Sequence, residues 1–202
     1  NGVNYNNDRI LYPLTHPQKR IWYIEKIYPG TSLYNIGGPI RIKGAIDFCI
    51  LEEAINILIK NNEGLRLRFV EENGEVKQYV SNYEKVKLDF IDLSKDENPE
   101  EEFNKWVEKE AKKPFAIENE RLFYFAMFRI SDNDNGYLAK FHHIISDWWS
   151  INIMTKHICN TYMKLLNGEE INDSTEHSYI EYISNEEKYL FSDRLFKNKS
   201  FW

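Results

Sequence analysis

The residues best suited to chemistry lie in one short run of the sequence, from 141 to 150. Two adjacent histidines, His142 and His143, are followed by Asp147, four positions after the second histidine. The run leaves an apolar, strand-like segment that ends at Phe141 and enters a helix-like segment that begins at Trp148. An imidazole at the end of a strand, just before a helix N-terminus, is well placed for acid–base work on a carbonyl substrate.

The two histidines are expected to have different roles. If the strand continues through them, successive side chains point to opposite faces, so His142 and His143 cannot share one task or one metal ion. His143 and Asp147 would share a face only on a helix, and this stretch is a strand-to-loop junction. We therefore predict no metal site here, and we interpret His142 as a structural residue that is hydrogen-bonded inside the protein.

The bulk composition excludes several classes of function. The chain has 202 residues, a net charge of −6, 42% hydrophobic and 15% aromatic residues, enough for one sizeable core. No basic patch stands out, so nucleic-acid binding is not expected. No apolar run approaches the ~18 residues of a membrane span. Cys49 and Cys159 do not make a disulfide framework, which favours a reduced, cytoplasmic setting.

The order of helical and strand patterns indicates an α/β (α+β) fold, a mixed or antiparallel sheet flanked by helices. Gly37-Gly38-Pro39 is expected to precede a strand, Asn73-Gly74 to make a hairpin turn, and residues 132–136 to make another turn. The predicted helices begin near Thr15, Asp47, Pro99, Trp148 and Tyr179, and the predicted strands cover 40–43, 65–70, 76–80, 86–91, 122–130 and 137–144.

The two ends of the chain differ in character. Residues 1–10 form a polar extension, and residues 11–202 are expected to form the folded unit. Large apolar groups, Phe196, Phe201 and Trp202, lie at the other terminus, where chains usually fray. We interpret them as half of an interface.

Four segments, taken together, resemble the condensation domains of nonribosomal peptide synthetases, in the chloramphenicol-acetyltransferase-like superfamily. Residues 142–147 match the signature His-His-x-x-x-Asp. Residues 14–22 resemble the opening motif, with its Gln, Arg and Trp in place, and residues 61–69 resemble the second motif, with its Glu, Leu, Arg and Phe. Residues 179–182 resemble the motif beyond the histidines. A lone histidine signature is weak evidence, whereas four segments in the expected order are strong evidence.

The resemblance implies a fold and a reaction. Family members have two similar lobes with the active site between them, and this sequence carries the motifs of the N-terminal lobe while those of the C-terminal lobe are absent. The family joins two substrates that are tethered as thioesters to peptidyl or aminoacyl carrier proteins, so that a peptide (amide) bond forms. No cofactor is expected to bind directly, because 4'-phosphopantetheine is carried by the partner carrier proteins. The other expected partners are the C-terminal lobe and an adjacent adenylation domain.

The resemblance also suggests roles for residues of the histidine run. His143 is the candidate that takes a proton from the attacking amine or positions that amine. Asp147 corresponds to an aspartate that forms an internal ion pair, and Arg66 is its expected partner. Separately from the resemblance, we hypothesise that the helix that starts near Ser150 aims backbone N–H groups at the developing oxyanion.

The sequence departs from the family pattern at Trp148, where the family has glycine after the aspartate. We therefore name Trp148, Trp149 and Ser150 as candidates for lining the substrate channel. The channel is either reshaped and open, which leaves an enzyme lobe, or narrowed, which leaves an impaired lobe that binds carrier proteins. A third alternative is a stand-alone acyltransferase that rebuilds the cleft by self-association. The chain by itself is expected to be inactive in condensation.

Overall fold

A computed structural model describes residues 9–171 and 178–190. Residues 1–8, Phe196, Phe201 and Trp202 lie outside the described residues, and with them the expected terminal interface. The helices are α1 (His16–Ile27), α2 (Phe48–Asn61), α3 (Pro99–Lys112), α4 (Trp148–Leu166) and α5 (Tyr179–Leu190), and a short 3₁₀ helix covers Glu63–Arg66. The strands are β1 (Tyr12–Pro13), β2 (Asn35–Lys43), β3 (Leu67–Glu72), β4 (Glu75–Val80), β5 (Asp89–Asp92), β6 (Phe123–Ser131) and β7 (Asp134–His142).

The strands form two sheets flanked by helices, which confirms the predicted fold class. The larger sheet has the order β2-β7-β6-β5, and the smaller sheet has the order β1-β4-β3. All pairs are antiparallel except β5 and β6, which run parallel, so the larger sheet is mixed. No helix in the described part of the chain is long and apolar enough to cross a membrane.

Strand β2 is longer than predicted, because Gly37-Gly38-Pro39 lies inside it rather than before it. Since β2 pairs only with β7, Pro39 on this edge strand does not interrupt a ladder on both sides. Gly37 has φ +120° and lies against the carbonyl of Ala139, where a Cβ atom would collide. The glycines therefore mark a close approach of two strands and not a turn.

Two other strands begin or end at different residues than predicted, because of interactions that the sequence pattern does not reveal. The predicted strand at 86–91 begins only at Asp89, because the N–H of Val86 donates to Asn56 Oδ1 (2.8 Å) and that of Leu88 to Glu52 Oε2 (3.0 Å). Helix α2 thus satisfies donors that a neighbouring strand would otherwise take. Strand β7 begins at Asp134, two residues after the start of the predicted turn, and ends at His142.

The helices are placed by local caps and by apolar faces. The Thr15 N–H donates to Gln18 Oε1 (2.9 Å), as in a capping box, and Asp47 accepts from the N–H groups of Cys49 and Ile50. Helices α2 and α4 cover one face of the larger sheet, and α3 packs Phe103 on the other. Apolar side chains therefore pack on both faces of the larger sheet, which contains the strand that ends at His142. In the described part of the chain the core consists of three clusters, of which the largest includes Leu51, Ala54, Ile55, Leu58, Ile59, Phe125, Tyr137, Phe141, Met154 and Ile158.

Candidate active site

The histidine run forms a tight connection between the central strand β7 and helix α4. The N–H of His142 donates to the carbonyl of Leu122 (2.9 Å), and the N–H of His143 donates to the carbonyl of Tyr34 (2.8 Å). The next donor, the N–H of Ile145, returns to the carbonyl of His142 (3.1 Å), so the chain turns immediately after the strand. These bonds hold the backbone on both sides of the two imidazoles.

His142 is a buried, fully partnered side chain. It is 2% exposed, its Nε2 lies 3.2 Å from Glu25 Oε1, and its Nδ1 accepts from the N–H of Ile144 (3.2 Å). Because a backbone N–H can only donate, Nδ1 must be unprotonated, and Nε2 therefore carries the proton toward Glu25. Burial, and secondarily the neighbouring His143, lower the pKa of His142 to about 4, so the ring is neutral near pH ~7.

His143 is exposed, and its two ring nitrogens differ. Nδ1 lies 2.7 Å from the carbonyl oxygen of Ser146. A carbonyl oxygen can only accept, so Nδ1 carries the proton, and in the neutral ring the lone pair is at Nε2. Among the described residues Nε2 has no hydrogen-bond partner. The two imidazoles thus lie in opposite environments, as strand alternation predicts, and only that of His143 is open to a substrate.

Asp147 does not form the predicted ion pair with Arg66, and this prediction is wrong. The carboxylate caps α4, where its Oδ1 accepts from the N–H (2.7 Å) and the hydroxyl (2.6 Å) of Ser150. The hydrogen bonds from Ser150 lower the pKa of Asp147. The Asp147 carboxylate binds Ser150 rather than Arg66, because Ser150 lies only three residues away on the same helical turn.

Arg66 is held elsewhere, at the end of the 3₁₀ helix. Its Nη1 donates to the carbonyl of Ser81 (2.7 Å), while the N–H of Ser81 donates to the carbonyl of Arg66 (2.9 Å). Its Nε is buried and has no hydrogen-bond partner within residues 9–171 and 178–190. Arg66 therefore ties the start of β3 to the end of β4 and does not support the histidine run through a direct contact.

The start of α4 presents two aromatic side chains to the outside. Trp148 is 69% and Trp149 is 74% exposed. The expected oxyanion donor at Ser150 is already used, since its N–H is bound to the Asp147 carboxylate. A carboxylate at this helix end also disfavours a second negative charge beside it. The N–H of Ser150 is therefore not free for an oxyanion, while the role expected of the other backbone N–H groups at the start of α4 stays a prediction.

Two polar side chains lie beside the site that the sequence analysis did not place there, although it noted the Gln of the opening motif. Glu25 contacts His142, and Gln18 donates from Nε2 to Gln78 Oε1 (2.9 Å) beneath the turn. The sequence held a signal for Glu25, because the buried residues Gln18, Trp22 and Glu25 follow each other at spacings of four and three. A glutamate on the buried face of a helix requires a polar partner.

The comparisons with known proteins agree on one family. A family model described as "Condensation domain" matches residues 9–202. Among curated proteins, surfactin synthase subunit 1 of Bacillus subtilis (strain 168) is 40% identical over 195 residues, which cover 95% of this chain and 5% of that protein. One of the plipastatin synthase proteins of the same organism is 37% identical over 192 residues, which cover 95% of this chain and 7% of that protein.

Solved structures give the same fold. The starter condensation domain of rhizomide synthetase superposes with a TM-score of 0.89 at 21% identity, covering 96% of this chain and 47% of the solved one. A variant of that domain, solved in complex with C8-CoA and Leu-SNAC, matches with the same TM-score at 20% identity over 95% of this chain and 44% of the solved one. The chain thus spans about half the length of these solved domains and a small part of its curated relatives.

Proposed function

This chain belongs to the condensation-domain family of nonribosomal peptide synthetases, and on that premise we propose that it contributes His143 to an amide-forming site in a two-lobed domain. In the proposed reaction, the amine of an acceptor on one carrier protein attacks the thioester of a donor on another. The C–N bond forms, the C–S bond breaks, and the amine proton leaves as the thiol of the donor arm is released.

The observation that carries this proposal is the contact between Nδ1 of His143 and the carbonyl oxygen of Ser146, from which the tautomer of His143 is inferred. With Nδ1 bound to the Ser146 carbonyl, the lone pair of the neutral ring lies at Nε2 on an exposed side chain. That nitrogen can accept a proton from an ammonium or an attacking amine, or hold the amine by a hydrogen bond. His142 cannot do so, because its Nδ1 accepts from Ile144 and its Nε2 faces Glu25.

The roles of the surrounding residues follow from their contacts. Asp147 and Ser150 set the start of α4, and the short connection to that helix carries His143. We propose for them, and for His142, a positioning role. Arg66 supports the fold of the lobe at a distance, through Ser81.

The partners belong to the same proposal. Peptidyl or aminoacyl carrier proteins would present both substrates on 4'-phosphopantetheine, and an adjacent adenylation domain would supply the activated amino acid. A relative solved with C8-CoA and Leu-SNAC supports an acyl thioester donor and an aminoacyl acceptor. A second lobe would close the cleft over His143. The free cysteines Cys49 and Cys159, both exposed, support a reducing, cytoplasmic setting.

The second candidate function is an impaired lobe that binds carrier proteins without catalysis. It is favoured by Trp148, whose exposed indole follows Asp147 directly and replaces a residue without a side chain in the family pattern. An indole at this position would occupy space beside His143 that a tethered substrate needs.

The test uses the complete two-lobed domain with carriers loaded by a donor and an acceptor. We expect the parent to form the amide and His143→Ala to lower the rate by about 10²–10⁴-fold, the usual contribution of a general base. His157→Ala is the matched control, since His157 is an exposed histidine on α4. Thermal melting checks that His143→Ala is folded. If it is not, His143→Gln is used in its place. Unchanged rates in folded His143 variants would refute the proposal.

The same assay separates the two candidates. No product from the parent but product from Trp148→Gly supports the impaired lobe, whereas product from both supports the enzyme lobe. We also propose that the 202-residue chain alone is inactive, because it supplies one wall of the cleft. Turnover by the chain as a monomer would overturn that proposal.

A further inference from the structure

A second feature of the molecule is a cavity of about 650 Å³ beside the smaller sheet. None of residues 142–150 lines it, so it is separate from the histidine site. Its walls come from residues 9–12, from α2 and the 3₁₀ helix, from β3, from β4 and the segment that follows it, and from the starts of β6 and α5. The volume lies in the range of small-molecule pockets, ~300–1,000 Å³.

The cavity concentrates arginine in a chain whose net charge is −6. Arg9, Arg66, Arg68 and Arg121 all line it. Arg9 is paired with Glu72 at 2.9 Å. The other three guanidinium groups have no carboxylate within ion-pair distance in the part of the chain that the structure describes.

Each of these three groups retains unused hydrogen-bonding capacity. The Nε of Arg66 is buried and finds no hydrogen-bond partner among the residues that the structure describes. Arg68 donates one N–H, from Nη1, to the carbonyl of Leu67 (2.8 Å). Arg121 stacks over the ring of Phe123 at 5.4 Å. A guanidinium has five N–H donors, so most of the donors on Arg68 and Arg121 remain available to a ligand.

The electrostatics of the cavity favour an anion. Burial and the nearby charge of Arg121 lower the pKa of Arg68. Glu84 is the carboxylate that lines the cavity, and Glu120 interacts with Arg68 from outside it. Among the groups that line the cavity, the three guanidinium groups outside the Arg9–Glu72 pair and the single carboxylate of Glu84 leave an excess of two positive charges, which Glu120 reduces from outside the cavity.

The remaining walls are apolar and set the shape of the ligand. Ile59, Val86, Phe123 and Ile180 line the cavity together with the ring of Tyr12. These side chains can cover an organic body of modest size, whereas a bare inorganic ion would leave them against water.

We propose that this cavity binds a small organic phosphate monoester, with its dianionic head between Arg66, Arg68 and Arg121 and its apolar body against Phe123 and Ile180. A monoester carries close to two negative charges at neutral pH, which matches the excess in the cavity. A phosphodiester, such as the linkage of a carrier arm, carries one charge. Planar guanidinium groups also bind phosphate oxygens in pairs, which favours this head group.

The test is calorimetric titration of the chain with phenyl phosphate, in low salt and without any substrate of condensation. We expect saturable binding of one equivalent, weakened by about ten- to a hundredfold in Arg68→Gln and in Arg121→Gln, as is usual for the loss of a charge-assisted hydrogen bond. Lys109→Gln removes a charge from an exposed position on α3 and is expected to bind like the parent.

Two further ligands define the head group. Benzoate and diphenyl phosphate each carry one negative charge, and both are expected to bind more weakly than phenyl phosphate. If diphenyl phosphate binds as tightly as phenyl phosphate, the assignment of a monoester is wrong. If phenyl phosphate does not bind, or if Lys109→Gln weakens its binding as much as the arginine variants do, the proposed binding site is wrong. Thermal melting checks that both arginine variants fold; Arg121, which is exposed, keeps the test available if Arg68→Gln does not. Because binding is measured without turnover, failure here is independent of the function proposed for His143.

Discussion

The Oε1 atom of Glu25 lies 3.2 Å from Nε2 of His142, and this contact joins helix α1 to the end of the central strand β7. Glu25 is 6% and His142 is 2% exposed. Burial raises the pKa of Glu25 and lowers that of His142. Both shifts oppose the charged forms, so the pair behaves as a buried polar contact whose stability depends on pH.

The first prediction concerns the stability of the fold in acid. The pKa of His142 is about 4 in the folded state and near ~6.5 in an unfolded chain, so the unfolded state takes up the proton first as pH falls. The stability that depends on a neutral His142 is fully present above pH ~6.5. As the pH falls to ~4, the free energy of unfolding decreases progressively, by up to about 3 kcal/mol. Urea unfolding of the parent across this range measures the loss.

His142→Gln is the comparison that isolates this effect. Glu25, whose raised pKa favours protonation in the folded state, changes stability in the opposite direction as pH falls and is present in both proteins. We therefore expect the free energy of unfolding of His142→Gln to fall less steeply between pH ~6.5 and ~4 than that of the parent. Parallel curves for the two proteins would contradict a buried, neutral His142.

The second prediction is that the adjacent histidines have opposite tautomers when neutral. The proton of His143 is expected on Nδ1, which faces the Ser146 carbonyl, and that of His142 on Nε2, which faces Glu25. Long-range ¹H–¹⁵N correlation spectra distinguish the two forms directly. The same tautomer at both rings, or Nε2–H at His143, would remove the basis for a proton acceptor at that atom.

The third prediction separates the helix cap from an ion pair. Asp147→Ala removes the acceptor for Ser150 and is expected to cost about 0.5–2 kcal/mol of stability, as for other N-caps. In a double-mutant cycle with Arg66→Gln, we expect a coupling energy below about 0.5 kcal/mol, because the two residues make no contact. A coupling of about 3 kcal/mol or more would indicate a buried pair instead.

The fourth prediction uses two neighbouring glycines of β2. Gly37→Ala places a Cβ atom against the Ala139 carbonyl at a φ of +120° and is expected to destabilise the protein by at least about 2 kcal/mol. Gly38→Ala is the control, since nothing lies within 4 Å of its Cβ position, and it should be neutral or slightly stabilising. Thermal or urea unfolding compares them, and equal losses would show that the strand pairing differs from that described here.

Elements that depend on neighbours in the sequence were predicted well. The helix starts near Thr15 and Asp47 and the turn at Asn73-Gly74 lie where the sequence indicates, and so does the start of α4 at Trp148. The separation of His142 from His143 was also predictable, because it needs only the alternation of side chains along a strand. These features depend on contacts between residues that are close in the sequence.

Features that join distant parts of the chain were decided by the tertiary structure alone. The pairing of Glu25 with His142 spans 117 positions. The parallel pairing of β5 with β6, and the contacts of α2 with the N–H groups of Val86 and Leu88, likewise join segments that are far apart in the sequence. Asp147 had a distant candidate partner and a near one, and sequence reasoning chose the distant Arg66. The physical reason is that residue types define which partners are chemically possible, whereas the relative positions of packed elements define which of them come within hydrogen-bonding distance.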